Sequence, residues 1–328
     1  MARLIRMDNT GHTPLAEWTS ADAASLAPEG LPRGPMRLID APEATRLYER
    51  MGPGRETSGG SAANTAAGIA ALGGKAGFIG QIADDQLGTV FRHDIRALGV
   101  SFETPMAAPD VPTARCLILV TGDAQRTMNT FLGASQYLPA DAIDARAIAD
   151  AAILYLEGYL WDPEAPRAAM RQAIRIAREG GRKVAFSLSD AFCIDRHRAD
   201  FRALIDDGQI DILFANEAEI LSLNETTDFD AAVAQTAARV PVLVVTRSEH
   251  GALAVADGVR TEIAAEPVAR IVDTTGAGDL FAAGFLAGQA QGRSIRDSLT
   301  MGAICAAEII SHYGARPEAD LAALVAAR

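Results

Sequence analysis

The regular alternation of strand-like and helix-like segments is the feature that most constrains the fold of this chain. Short apolar runs predict strands at 152–156, 183–188, 211–214, 242–246 and 252–255. Helical periodicity between them predicts helices at 164–179, 198–206, 217–222 and 229–239. This alternation is typical of a mostly parallel sheet covered by helices on both faces. We therefore expect an α/β protein whose loops meet at one sheet edge, where ligands bind in such folds.

The segments before residue 135 indicate further elements. A small-residue helix is predicted at 66–72 and an apolar strand at 76–79, followed by a helix at 85–98. Strands near 115–121 and 126–131 flank a turn around Gly122 and predict a β-hairpin.

A glycine-rich turn, Asp273-Thr-Thr-Gly-Ala-Gly-Asp279, stands directly before the apolar run 280–286. A helix that begins here has free N–H groups and a positive dipole end, which suit phosphate oxygens. Gly276 and Gly278 allow close approach of the backbone, and Asp279 can accept a proton from a hydroxyl group held above the turn. The motif therefore favours phosphoryl transfer to an alcohol. The alternative is an ordinary helix start with Asp279 as a capping residue.

A second polar turn, Ser58-Gly-Gly-Ser-Ala-Ala-Asn-Thr65, precedes the helix predicted at 66–72. Together with the pattern Gly80-Gln-Ile-Ala-Asp-Asp-Gln-Leu-Gly88 and the late glycine turn, it resembles the two signatures of the ribokinase-like (PfkB) family of carbohydrate and nucleoside kinases. The resemblance covers about residues 31–318.

The resemblance implies a ribokinase-like three-layer α/β/α sandwich with a mostly parallel central sheet and a small β lid. It implies one kinase domain over residues 1–328, in which the discontinuous segments 31–40 and 110–133 form the lid. In this family the lid closes over the substrate and excludes water, which would otherwise hydrolyse the activated phosphate.

The same resemblance assigns catalytic roles to the late glycine turn. Asp279 matches the family's general base, and Gly276, Ala277 and Gly278 match its anion hole. Some members of the family bind a potassium ion behind the anion hole. The resemblance implies that Asp273 and Thr275 supply oxygens to such an ion here.

A nucleotide and metal site is implied after two of the predicted strands. Asn216-Glu-Ala-Glu219 matches the family's NxxE element, in which Glu219 positions magnesium through water; the alternative is an exposed helix start rich in acids. Thr246, Ser248 and Gly251, with Asn216, match the ATP-binding positions, although a solvated turn remains an alternative for Glu249 and His250. ATP and magnesium are the implied cofactors.

Three segments, 156–160, 187–192 and 210–219, look most like those of the adenosine kinases in this family. The implied reaction transfers the γ-phosphate of ATP to the 5′-hydroxyl of adenosine, giving AMP and ADP. Gly59, Gly60 and Asn64 would then hold the ribose hydroxyls. Phe131 either stacks on the purine or is a buried hairpin aromatic.

One departure keeps other functions open. Family members usually begin with an apolar strand and a GNxxxD-like element whose Asp binds sugar hydroxyls, and residues 1–30 contain no clear equivalent. The alternatives are a sugar kinase acting on ribose, fructose or 2-keto-3-deoxygluconate, and a catalytically weak nucleoside-binding protein.

Composition excludes several classes of partner. The net charge of −12, without basic runs, disfavours nucleic acid, so a small molecule is the expected partner of a monomer or homodimer. Three scattered cysteines, no bilayer-length apolar run and no signal-peptide core predict a cytoplasmic protein without membrane contact. The chain lacks a GxxxxGK[ST] loop, so it is not a Walker-type ATPase. Phe281 stands where a dinucleotide fingerprint would have its third glycine, which disfavours a dinucleotide dehydrogenase.

Overall fold

The computed structural model describes residues 36–51, 56–120 and 126–328, which form two compact units. The first unit comprises the described residues up to Ser135, with Val268–Leu280 and Cys305–Arg328, and the second comprises Gln136–Pro267 and Phe281–Ile304. Residues 1–30, residues 31–35 of the predicted lid and the turn around Gly122 lie outside the described residues. The assignment of a single domain with a lid stays a prediction.

A three-stranded sheet in the first unit contains the predicted hairpin. Its strands are β1 (Met36–Leu38), β2 (Arg115–Val120) and β3 (Arg126–Phe131), in the order β1-β3-β2. β2 and β3 are antiparallel, which confirms the hairpin, and β1 is parallel to β3.

Residues pack against both faces of this sheet, and side chains along a strand point to the two faces in turn. Leu117 and Leu119 pack with Met51, which follows helix α1 (Ala41–Arg50). On alternate positions, Cys116 and Ile118 pack in a cluster with Ala315.

The first unit also holds α2 (Ser61–Ala71) and α3 (Gln86–Ala97). Their core includes Phe78, Phe91 and Phe102, whose ring centroids lie 5.5–5.7 Å apart. The strand predicted at 76–79 is wrong, because pairing there is confined to an isolated bridge between Gly77 and Ser101.

Helix α2 begins five residues before the predicted start at 66. The Gly60 carbonyl accepts a hydrogen bond from Asn64 N (2.8 Å), so the polar residues of the early turn form the first helical turn. The consequence is that Ser61 and Asn64 occupy defined helical positions.

A six-stranded sheet forms the centre of the second unit, and its spatial order follows the chain order. The strands are β4 (Ile153–Glu157), β5 (Lys183–Ser187), β6 (Ile212–Asn216), β7 (Val242–Thr246), β8 (Ala252–Ala256) and β9 (Val259–Ile263). β4 to β7 are parallel, and the last two pairings are antiparallel. The predicted mostly parallel sheet is therefore confirmed. β9 has no apolar run, and its exposed Arg260 and Glu262 gave no strand signal.

Within Gln136–Pro267 of the second unit, one α-helix precedes β4 and four lie between β4 and β7. They are α4 (Ala145–Asp150), α5 (Glu164–Glu179), α6 (Ala191–Asp206), α7 (Glu217–Asn224) and α8 (Phe229–Ala237). α6 begins seven residues before the predicted start, because the Asp190 carboxylate caps it by accepting from Phe192 N, and it bends at His197.

The chain continues through α9 (Ala277–Ala290), α10 (Ile295–Ile309) and α11 (Leu321–Ala326). α9 is the helix predicted after the late glycine turn. Within the described part of the chain, no helix is both long and apolar enough to cross a membrane.

Candidate active site

The late glycine turn has a backbone shape that requires glycine at its first position. Gly276 has φ of +84°, and a Cβ built there would lie 3.0 Å from Ala315 Cβ. Its carbonyl accepts from Leu280 N (2.9 Å), which starts α9 with Asp279 in the first turn. The turn therefore depends on close packing against Ala315 as well as on its own sequence.

The start of α9 presents backbone donors beside open space. Among the described residues, no acceptor contacts the N–H groups of Gly278 and Asp279, whereas Ala277 N has a 3.3 Å contact with Thr274 O. Gly278 is exposed, and a Cβ built there would meet nothing within 4 Å. This arrangement suits a phosphate oxygen at the positive end of the helix. Of the predicted anion hole, Gly278 thus has the freest geometry.

The Asp279 carboxylate is held by residues of the early turn. Oδ1 accepts from Ser61 Oγ at 2.6 Å, and Oδ2 accepts from Asn64 Nδ2 at 2.7 Å. Thr65 Oγ1 donates to the main-chain oxygen of Asp279 at 3.1 Å. The two turns that the sequence singled out are therefore brought together at one half-buried carboxylate.

This geometry suits a general base. Two donors fix the plane of the Asp279 carboxylate, and each of its oxygens keeps further lone-pair capacity for a hydroxyl proton. Asn64 Oδ1 is buried without a hydrogen-bond donor among the described residues. The predicted ribose contact of Asn64 would thus use this oxygen, because its amide nitrogen already binds Asp279.

Arg316 completes the early turn and was missed from the sequence. Its guanidinium donates to the carbonyl oxygens of Ala63 (2.5 Å), Ser58 (3.3 Å) and Gly59 (3.5 Å). Burial lowers the pKa of Arg316 to about 10, and the carboxylates of Asp279 and Asp94 oppose that shift. No motif marks this arginine, since its partners are more than 250 residues away in the chain.

Asp273 and Thr275, the predicted potassium ligands, adjoin each other in the buried base of the turn. Asp273 Oδ1 accepts from Thr275 N (2.9 Å) and Thr275 Oγ1 (2.7 Å), and Oδ2 accepts from Gly314 N (3.3 Å). Within the described residues, this buried carboxylate forms no salt bridge, so its oxygens fit a monovalent cation. Potassium binding stays a prediction.

Phe131 lies in the apolar core of the first unit. It is 8% exposed and clusters with Ile39 and Ala44, while the Arg115 guanidinium lies 5.9 Å from the centre of its ring. This position agrees with the buried hairpin aromatic. The stacking of Phe131 on a purine stays a prediction.

In the second unit, Glu219 lies at the start of α7 in a capping box. Its Oε1 accepts from Asn216 Nδ2 (2.6 Å) and its Oε2 from Asn216 N (3.0 Å), while its own N donates to Asn216 Oδ1 (2.8 Å). Burial raises the pKa of Glu219 to about 7; the Asn216 N–H opposes this shift and the Asp190 carboxylate adds to it.

The Glu219 environment fits magnesium held through water. A buried carboxyl group beside a second acid is stabilised in its charged form by a cation. Both Glu219 oxygens already accept hydrogen bonds from Asn216, so contact with the ion through water fits better than direct ligation. In the described ranges, no three His, Cys, Asp or Glu side chains cluster as metal ligands. Magnesium commonly keeps several waters and few protein ligands.

The predicted ATP-binding positions meet at the ends of neighbouring strands. Asn216 and Thr246 are paired in register at the last residues of β6 and β7. Ser248 and Gly251 follow in the next loop, where Gly251 N donates to Ser248 O (3.1 Å). Arg247, which was not predicted, ties this loop to α7 by donating from Nε to Glu217 Oε2 at 3.0 Å.

The chain is similar to known proteins in both sequence and fold. The model of the pfkB family of carbohydrate kinases matches residues 37–321. Two solved structures, of an adenosine kinase from Sinorhizobium meliloti and of a probable sugar kinase protein from Rhizobium etli CFN 42, are each 43% identical with a TM-score of 0.93. Each alignment covers 99% of this chain and 96% of the other.

A third relative is similar over most of its length. The ATP-dependent ribose-1-phosphate kinase of Halopiger xanaduensis is 30% identical over 279 residues, which covers 82% of this chain and 86% of that protein. The chain therefore has the ribokinase-like α/β fold, belongs to the PfkB family of carbohydrate kinases and is an ATP-dependent kinase.

Proposed function

We propose that this kinase transfers the γ-phosphate of ATP to the 5′-hydroxyl of adenosine, giving AMP and ADP, with Asp279 as general base. The observation that carries the proposal is the Asp279 carboxylate, held by Ser61 and Asn64 in the first turn of α9 beside the open backbone of Gly278. A base adjacent to a phosphate-binding helix start is what transfer to an alcohol requires.

Each side chain of the site has a defined task. Ser61 and Asn64 orient the carboxylate, so that one oxygen of Asp279 accepts the proton of the attacking hydroxyl. The free N–H groups at the start of α9 bind oxygens of the transferred phosphate and stabilise the charge that develops there. The ribose hydroxyls are bound by Gly59, Gly60 and Asn64 Oδ1, and Phe131 lies near the purine ring of adenosine.

The proposed nucleotide contacts lie at the ends of β6 and β7 and in the loop after β7. Asn216, Thr246, Ser248 and Gly251 bind ATP, and Glu219 orients the water shell of magnesium. Bound magnesium supplies the positive charge that offsets the phosphate oxygens during transfer. Asp273 and Thr275 hold a potassium ion behind the anion hole. The buried carboxyl of Glu219 and the buried carboxylate of Asp273 support these two assignments.

Adenosine is the proposed acceptor because the segments 156–160, 187–192 and 210–219 resemble adenosine kinases and one relative at 43% identity is an adenosine kinase. A sugar acceptor is the second candidate, favoured by the equally similar probable sugar kinase and by the ribose-1-phosphate kinase. Both reactions would use Asp279 in the same way.

The test is ADP release with Mg-ATP against adenosine, inosine, guanosine, ribose, fructose and 2-keto-3-deoxygluconate, with an acceptor-free control. Release with adenosine supports the proposal. Release with a sugar and none with adenosine overturns the acceptor and keeps the base. Tight adenosine binding by calorimetry without any ADP release would instead support a binding protein.

A further inference from the structure

We propose that Arg316 is a positioning residue of phosphoryl transfer, which holds the acceptor-binding turn in the shape that orients Asp279. This inference rests on the proposed function, because it takes the early turn as the acceptor site and Asp279 as the base. Arg316 is assigned no direct contact with the reacting atoms.

The hydrogen bonds of Arg316 go to the backbone around the early turn. The guanidinium donates to three carbonyl oxygens, of Ser58, Gly59 and Ala63, that flank the start of α2 on both sides. Arginine suits this task because its planar group presents donors in fixed directions. The loop and the first turn of the helix are thereby held in one geometry.

The backbone that Arg316 holds also carries the two side chains that donate to Asp279. Ser61 and Asn64, the two donors to Asp279, lie between and directly after the carbonyls that Arg316 holds. A displacement of the turn would therefore move both donors and tilt the carboxylate. Ser58 is held from a further direction, since its Oγ donates to Asp94 Oδ2 at 2.6 Å.

Hydrogen bonds on both sides of Arg316 fix its position in the chain. Glu308 Oε1 accepts from the N–H groups of Glu318 (2.9 Å) and Ala319 (2.8 Å), and His312 Nε2 lies 3.1 Å from the same oxygen. Before Arg316, Gly314 N donates to Asp273 and Ala315 packs against Gly276. The segment Gly314–Arg316 thus contacts both glycine turns and is anchored on either side.

The experiment compares steady-state kinetics of the full chain carrying Arg316→Met or Arg316→Lys, with the acceptor identified by the panel above. Arg96→Met is the matched control, because Arg96 also donates two hydrogen bonds to a carbonyl, that of Phe102, and contacts neither glycine turn. Thermal melting of each variant separates loss of stability from loss of positioning.

We expect Arg316→Met to lower kcat by about 10-fold or more and to raise KM for the acceptor, because misplacement of a reacting group by a fraction of an ångström is costly. KM for ATP should stay within about twofold, since the Arg316 guanidinium donates to carbonyl oxygens of the early turn. Guanidinium ion at millimolar concentration should partly restore kcat of Arg316→Ala. The Arg96 control should lower the melting temperature without this kinetic split.

If Arg316→Met does not fold, Arg316→Lys is used for the test, because lysine keeps the positive charge but lacks the planar group with donors in fixed directions. A fall in kcat and a rise in KM for the acceptor, with KM for ATP constant, support the inference. Values of kcat and acceptor KM within twofold of the wild type in the folded variant overturn it, as does an equal rise in both KM values. If Asp279→Asn is inactive while the Arg316 variants are normal, this inference alone fails; if Asp279→Asn keeps its turnover, the proposed function fails first.

Discussion

Asp279 and Glu219 both stand in the first turn of a helix, and their carboxylates are held in different ways. Glu219 is 5% exposed, and its partner is Asn216, three residues earlier in its own capping box. Asp279 is half-buried, and its partners Ser61 and Asn64 are 218 and 215 residues away. The local arrangement is compatible with an ordinary helix start, whereas the long-range one holds a half-buried carboxylate by side chains from outside its own helix.

An acidic residue at a helix start is therefore stronger evidence for function at Asp279 than at Glu219. Capping explains the contacts of Glu219 completely, so its role rests on burial, pKa and family resemblance. The contacts of Asp279 are not explained by capping, because side chains of another helix orient both oxygens. Four predictions test this contrast, in order of the expected effect.

Replacing Asp279 with Asn should have the largest effect. The amide cannot accept the hydroxyl proton, so kcat should fall by at least ~100-fold while the protein stays folded. Steady-state ADP release and circular dichroism would measure this. Asp110→Asn, at an exposed turn, is the charge-matched control. Wild-type turnover in Asp279→Asn would show that Asp279 is a capping residue and not the general base.

The paired variants Gly278→Ala and Gly276→Ala should separate ligand approach from backbone shape. The Gly278 methyl would occupy the open space of the proposed anion hole, so kcat/KM for ATP should fall by up to about 100-fold with stability retained. Gly276→Ala should instead lose roughly 1–3 kcal/mol of stability, because φ is positive and Ala315 is close. Thermal melts and kinetics on both variants decide; normal ATP kinetics in Gly278→Ala would refute the anion hole.

Removing one donor to Asp279 should have an intermediate effect. Ser61→Ala and Asn64→Ala each delete a hydrogen bond to a charged group, which is worth about 1.5–3 kcal/mol, so kcat should fall by about 10-fold or more. Thr65→Val is the control, since Thr65 contacts main-chain oxygens and not the carboxylate. If kcat of Ser61→Ala and Asn64→Ala equals that of the Thr65→Val control, orientation of Asp279 by the early turn is unimportant.

Glu219→Gln should change mainly the magnesium requirement and the pH dependence of stability. Half-maximal velocity should need more magnesium, because the carboxylate that orders its water shell is gone. An unchanged magnesium titration would contradict the metal role.

The pH effect follows from the raised pKa. Between its usual value of 4.5 and about 7, Glu219 holds a proton in the folded state and has lost it in the unfolded state. The free energy of unfolding contributed by Glu219 therefore falls as the pH rises through this window. Relative to the wild type, Glu219→Gln should gain on the order of 2 kcal/mol between pH 5.5 and 8. Urea unfolding without nucleotide or divalent ions measures this, and parallel profiles would show that Glu219 is ionised normally.

Most of the fold was predictable from local patterns. The helix at 164–179 and the strand at 242–246 were predicted to the residue, because apolar periodicity is strong there. The strand at 76–79 was wrong and β9 was missed, since a short apolar run does not reveal its pairing and an exposed hairpin strand has no apolar signal.

Within the site, local sequence accounts for the two glycine turns, the carboxyl group of Asp279 and the capping box at Asn216, because these features depend on neighbours within a few residues. The folded structure adds that Ser61 and Asn64 hold Asp279, that Ala315 packs on Gly276 and that Arg316 binds the early turn. Contacts between residues more than 200 positions apart form when a whole packed unit overcomes the entropy of loop closure, and no local spacing encodes them.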